Sequence, residues 1–170
     1  MSDEIVNKVS QSGLITIDLE SVFPEGERVV FDIKDCLIEG LLLREKDFRA
    51  FIKSNDWTFF KDKYVALFCS TEAIIPRWAW MLLAAALQPF AAGIVFGNAE
   101  ALEEYLFRAA LDKINPEDYR DHRVVIKGCG DRDIPAGAYI TLTAKLSPVV
   151  KSIMYGEPCS TVPVFKRKED

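Results

Sequence analysis

The sequence predicts an α/β protein with a mostly parallel sheet, three-layered, built from repeated strand–helix units and preceded by a small extended flap. Three observations predict it. The runs Tyr64–Phe68, Gly93–Phe96 and Arg123–Lys127 are short and largely apolar, as strands covered on both faces are. Each is followed by a loop and then by a longer segment with helical periodicity. The alternation of the two kinds of segment is the pattern of a parallel sheet with right-handed crossovers.

The elements follow in chain order. Ile15–Leu19 and Arg28–Ile33 are rich in β-branched and aromatic residues, and Pro24-Glu25-Gly26 between them reads as a turn, so residues 1–35 are expected to form a hairpin or flap. From Arg44 to Lys53 the pattern is helical: Phe48, Phe51 and Ile52 share one face, charged residues surround them, and Asn55-Asp56 stops the helix. The core, residues 62–165, begins with the strand Tyr64–Phe68. Pro76 suits the first turn of the next helix because its φ is fixed. After Gly93–Phe96, Asn98 is a good N-cap for a helix with Leu102, Tyr105, Leu106 and Ala109 inside. A short helical turn is expected at Asn115-Pro116, then the strand Arg123–Lys127, a loop over 128–133, and a helix over Gly137–Leu146 ended by Pro148. A fourth strand is expected from Val149–Met154 or from Val162–Phe165. A single domain over 1–170 is the expectation, since no linker or close repeat interrupts the chain.

Composition narrows the function classes. With 49% hydrophobic and 28% charged residues the chain is that of an ordinary globular protein. Its 26 acidic and 21 basic residues give a formal charge of -5, which opposes nucleic-acid binding unless a basic patch is segregated on one face. The one basic run, Lys166-Arg167-Lys168, reads as a solvated tail. The start, Met1-Ser2-Asp3-Glu4, lacks the features of a signal peptide, and the longest apolar run, Trp78–Leu87, falls far short of the ~20 residues that cross a bilayer. A cytoplasmic protein with no membrane or nucleic-acid partner is therefore expected. The helix carrying Trp78, Trp80, Met81, Leu82, Leu83 and Leu87 is apolar nearly all round and calls for cover on every side, which leads to the expectation of a homodimer.

Chemistry is expected beyond the carboxyl ends of the strands, where open parallel sheets bind ligands. Cys69-Ser70-Thr71-Glu72, Gly97-Asn98 and Gly128-Cys129-Gly130-Asp131 are the loops that follow the three strands. Glycines flanking Cys129 allow a tight bend and a close approach of its thiol to a ligand. A second thiol, Cys159, lies in the turn-rich segment Gly156-Glu157-Pro158-Cys159-Ser160-Thr161, which joins the same edge if the run before it is a parallel strand. The candidate ligand-binding residues are thus Cys129, Asp131, Cys159, Ser160, Thr161, Cys69 and Glu72. Cys129 and Cys159 are the candidate metal ligands, and zinc or an iron–sulfur cluster is the cofactor such thiols would take. Cys36 reads as structural and Cys69 as closer to core than to ligand. The only histidine, His122, precedes the strand that Cys129 follows, so seven steps at ~3.3 Å put them roughly 20 Å apart and disfavour a Cys–His dyad. No catalytic residue is assigned. Phosphate-binding Gly-rich motifs are absent from the sequence.

The segments 26–35 (Gly-Glu-Arg-Val-Val-Phe-Asp-Ile-Lys-Asp), 43–49 (Leu-Arg-Glu-Lys-Asp-Phe-Arg) and 152–164 (Ser-Ile-Met-Tyr-Gly-Glu-Pro-Cys-Ser-Thr-Val-Pro-Val) resemble a bacterial family catalogued only as domain of unknown function 2480. The resemblance spans nearly the whole chain and implies no activity or catalytic residue. It carries an association with iron–sulfur cluster assembly, and so implies a protein partner there. Three functions are expected in turn: an accessory protein binding a metal, a cluster or a thiol-reactive ligand through Cys129 and Cys159; a small enzyme using either thiol; or a non-catalytic dimeric interaction protein.

Overall fold

The structure, a computed structural model, describes residues 13–128 and 130–168. Its strands are β1 (Leu14–Asp18), β2 (Arg28–Asp32), β3 (Tyr64–Phe68), β4 (Gly93–Phe96), β5 (Arg123–Lys127), β6 (Ser152–Glu157) and β7 (Ser160–Lys166). Among the described residues the α-helices are α1 (Glu45–Ser54), α2 (Arg77–Leu87), α3 (Ala99–Asp112) and α4 (Ala136–Leu146). The fold is α/β, and most strand pairs are parallel.

The strands are divided between two sheets, where the sequence led to one three-layered sheet. Two compact units result, one of residues 25–105 and one of residues 1–24 with 106–170. In the first, the sheet order is β2-β3-β4, all parallel, with Val29 opposite Val65 and Val65 opposite Ile94. Val65 and Leu67 share a buried cluster with Phe48 of α1 and Ala79, Leu83 and Leu87 of α2, so both helices cover the same face. Phe31 anchors an aromatic group there, its ring 6.1 Å from Trp57 and 6.2 Å from Phe60. The indole of Trp57 donates to the Ile52 carbonyl at 2.9 Å, which satisfies its buried polar atom. Asn98 caps α3, as its sequence position predicts, by accepting from the Ala101 amide at 3.0 Å.

The expected N-terminal hairpin does not form. β1 pairs in parallel with β5, and β2 pairs in parallel with β3, so Pro24-Glu25-Gly26 marks the boundary between the units instead of a hairpin turn. Parallel strands need a long crossover, and the chain supplies one for each: α1 between β2 and β3, and the whole of residues 25–105 between β1 and β5.

The second sheet has the order β1-β5-β6-β7, with β7 antiparallel at the edge. Ile17, Val124, Ile126 and Ile153 bury one face against Phe107 and Leu111 of α3 and Ala138, Leu142 and Leu146 of α4. Both segments expected to hold a fourth strand contribute one, although β6 begins only at Ser152 within Val149–Met154, and the two strands are joined by the two-residue turn Pro158–Cys159. Pro163 is tolerated in β7 because an edge strand can do without one amide. Lys166 closes β7, and the Arg167 amide donates to the Lys151 carbonyl at 2.8 Å, so the first two residues of the basic run are tied to the sheet instead of trailing as a solvated tail. Among the described residues no helix is long and apolar enough to cross a membrane.

Candidate functional site

Three parallel strands end together at one edge of the four-stranded sheet, and their last residues are charged: Asp18 on β1, Lys127 on β5 and Glu157 on β6. Lys127 Nζ lies 3.1 Å from Glu157 Oε1 and 4.0 Å from Asp18 Oδ2. The Glu157 hydrogen bond and charge, with Asp18 and Glu20 further off, raise the lysine above its ordinary value. It is therefore a fixed cation enclosed by carboxylates.

The two glycines around position 129 have neighbours within the protein. A Cβ on Gly128 would meet Tyr139 Oη at 2.4 Å and Ile134 Cδ1 at 2.9 Å, and the Tyr139 hydroxyl donates to the Gly128 carbonyl at 2.8 Å. At Gly130 a Cβ would fall 2.0 Å from Glu20 Oε1. That oxygen is buried and has no hydrogen-bond partner among the described residues. The sequence reading gave these glycines to the close approach of a ligand. In the structure, Tyr139 and Glu20 take that space. Cys129 itself lies outside the described residues, and Asp131 is exposed in the loop that follows.

Cys159 is exposed in the turn between β6 and β7. Because β6 runs parallel to β5, this turn stands at the edge where Gly128 leaves the sheet. The segment from Gly156 to Thr161, expected to be a loop, is mostly ladder: Gly156 pairs with Thr161 and Glu157 with Ser160. Gly156 has φ +115° and a Cβ there would meet the Ser160 carbonyl at 2.7 Å, so the hairpin requires glycine. The Thr161 hydroxyl turns back on Met154 Sδ, 3.6 Å away.

Cys69 and Glu72 stand elsewhere. The sequence placed all three post-strand loops on one edge, whereas Cys69-Ser70-Thr71-Glu72 follows β3 of the three-stranded sheet and the 128–131 loop follows β5 of the other. Cys69 Sγ is 3.3 Å from Thr71 Oγ1. Asp32, at the end of β2, accepts from the Ser70 amide at 3.1 Å. Burial pushes the Asp32 carboxyl up, but hydrogen bonds from Ser70 and Lys34 outweigh it and hold the group below its usual range. Burial, with Asp35 beside it, pushes the Cys36 thiol up to about 11, which suits a structural cysteine. His122 is exposed, its Nδ1 2.8 Å from the Arg120 carbonyl. Among the described residues, no three His, Cys, Asp or Glu side chains converge as a metal site.

An apolar groove adjoins the thiol-bearing edge. Its volume is about 620 Å³, and Tyr139, Ile140 and Thr143 of α4 face Met154, Tyr155 and Val164 of the hairpin across it. The rings of Tyr139 and Tyr155 meet edge to face at 5.7 Å. Tyr139 thus lines the groove and also holds Gly128. The groove is not legible in the sequence, which reads 156–161 as a loop and so gives Val164 no place beside α4, although an apolar residue on a short strand was a signal for it.

A family model described as "Protein of unknown function (DUF2480)" matches residues 3–167. The chain belongs to the DUF2480 family. No curated protein and no solved structure matches this DUF2480 chain.

Proposed function

We propose that this DUF2480 protein is a non-catalytic binding protein that takes a thiol-reactive ligand at the carboxyl edge of the four-stranded sheet, with Cys159 as its contact and the apolar groove as the seat of its organic part. The parallel pairing of β5 with β6 carries the reading, because it brings the Pro158–Cys159 turn to the edge where Gly128 leaves the sheet, and Gly128 is held by Tyr139, which lines a groove of about 620 Å³. That volume and lining are those of a small-molecule site, apolar with a few hydroxyls. The finer reading, a zinc ion or iron–sulfur cluster held by Cys129 and Cys159, is supported by the sequence position of Cys129 directly after Gly128 at the same edge.

Paired alkylation rates provide the test. An N-hexylmaleimide should modify Cys159 at least about fivefold faster than a maleimide of equal reactivity without the alkyl chain, since each buried methylene contributes ~0.8 kcal/mol. Ile140→Asp should abolish that advantage without slowing the short reagent. Equal rates for both reagents in the unaltered protein would reject the groove as part of the site. Elemental analysis and a visible spectrum of anaerobically purified protein, compared with Cys129→Ser and Cys159→Ser, separate the two readings: stoichiometric metal lost in both variants selects the metal, and its retention in both rejects it.

A further inference from the structure

At the amino edge of the same sheet, five polar residues on and next to three strands surround a second, smaller cavity of about 160 Å³: Arg123, Lys151, Ser152, Lys166 and Arg167. Their assembly follows from register. Arg123 on β5 is opposite Ser152 on β6, and Ser152 is opposite Lys166 on β7. Cross-strand partners point to one face, so a guanidinium, a hydroxyl and an ammonium stand in a row, with about 4.8 Å between adjacent strands and roughly 10 Å from first to last. Alternation from Val124 and Ile153, which enter the helix-covered core, puts this row on the opposite face.

The backbone beneath is fixed. The Lys151 amide donates to the His122 carbonyl at 2.8 Å, and the Arg167 amide to the Lys151 carbonyl at 2.8 Å. Arg167 is ion-paired with Asp121. Among the described residues, Arg123, Lys151 and Lys166 have no carboxylate within ion-pair distance. Lys151 feels the charge of Asp121, yet three cations without an ion-pair partner gather at one small cavity of a chain whose net charge is -5. Arg123 and Lys166 are not directly opposite each other, and the Ser152 hydroxyl between them marks a place where one anion can meet both.

We propose that this cavity is a binding site for a phosphate group, held between Arg123 and Lys166 with the Ser152 hydroxyl beneath it and Lys151 at its side. The cation row supplies donors only, in the arrangement that suits a compact oxyanion with several acceptor oxygens, and guanidinium and ammonium groups are the usual phosphate partners. The site is independent of the thiol-bearing edge: the length of β5, four steps of ~3.3 Å, separates Arg123 from Lys127.

Isothermal titration of the full chain with inorganic phosphate at constant ionic strength tests it. The expected result is saturable one-to-one binding that Arg123→Gln and Lys166→Gln each weaken about tenfold, the loss of one charge-assisted hydrogen bond. Lys46→Gln, on exposed α1, makes the same change in net charge and should leave the affinity unaltered. Co-sedimentation with vesicles containing phosphatidic acid identifies the source of the group: binding displaced by inorganic phosphate assigns a lipid headgroup, and no binding assigns a soluble phosphate ester. Absence of saturable phosphate binding, or an affinity unchanged in both Gln variants, would overturn the proposal.

Discussion

Replacing Gly128 by Ala tests whether the glycine serves the protein's own packing. A Cβ there would sit 2.4 Å from Tyr139 Oη and 2.9 Å from Ile134 Cδ1. The isoleucine methyl can rotate away, whereas the tyrosine ring is held between Tyr155 and the carbonyl of Gly128 itself. Overpacking of this kind costs about 1–3 kcal/mol, and loss of the 2.8 Å hydrogen bond adds roughly 1 kcal/mol. Restricting the unfolded chain returns about 0.4–1 kcal/mol, since the φ of Gly128 is one that Ala can adopt. The net expectation is a destabilisation of about 2 kcal/mol, measured by urea unfolding followed by circular dichroism with the slope unchanged. Tyr139→Phe alone should cost about 1 kcal/mol, by removing the hydrogen bond. In that background Gly128→Ala should cost less than about 1 kcal/mol, because the nearest clashing atom has gone, giving a coupling above about 1 kcal/mol. Additivity of the two changes within about 0.4 kcal/mol would refute the reasoning and return the glycine to a role in ligand approach.

Three further outcomes are expected. Mass-spectrometric mapping of iodoacetamide labelling at neutral pH should find Cys159 modified well before Cys36, whose thiol is pushed up to about 11, and equal rates would contradict the burial argument. Because the folded value of Cys36 lies above the ordinary 9.0, its contribution to stability is complete below pH 9 and is lost as pH rises from there towards 11; Cys36→Ala should remove that part of the alkaline decline. Sedimentation equilibrium should show a homodimer that Met81→Glu converts to a monomer, since Met81 on α2 and Phe96 on β4 are 70% and 68% exposed beside the packed Trp80; a monomeric unaltered protein at micromolar concentration would exclude the dimer.

How much of this was legible in the sequence depended on the range of the signal. Tyr64–Phe68, Gly93–Phe96 and Arg123–Lys127 are strands with the bounds that their apolar runs predict, and Asn98 caps α3, because runs and caps are local properties. Pairing is not local. Nothing in Ile15–Leu19 or Arg28–Ile33 says that one joins β5 and the other β3, so the short spacing between them suggested a hairpin while burial favoured parallel neighbours. The same limit divided the candidate site, since one edge in the sequence reading became the edges of two sheets, with Cys69 on one and Cys159 on the other. The cover of α2 was legible only in part: the sequence offers the sheet on one side and the N-terminal flap or a second copy of the chain on the other, whereas Phe48 of α1 also packs on Trp78 and Phe96 of β4 on Trp80. The basic cavity was invisible for a sharper reason, because its residues lie at 123, 151–152 and 166–167, and only register makes them neighbours.

The placement of charge on the four-stranded sheet has an ordinary explanation at one edge and not at the other. The β5–α4–β6 crossover starts α4 at the carboxyl edge and ends it at the amino edge, so its dipole favours anions at the first and cations at the second. Asp18, Glu20 and Glu157 fit that preference, and Lys127 among them is neutralised by Glu157 at 3.1 Å. At the amino edge the dipole argument would assign Arg123, Lys151 and Lys166 to the helix ends. Two observations oppose it. The carbonyls at the end of α3, those of Leu111 and Asp112, are already met by Lys145 Nζ at 2.9 Å each. Arg123, Ser152 and Lys166 also point to the face away from the helices, and a helix-end field falls off within about one turn. A cation row that serves neither a helix terminus nor an ion-paired carboxylate has its donors open to solvent, and an external anion is the partner that its geometry leaves to be supplied.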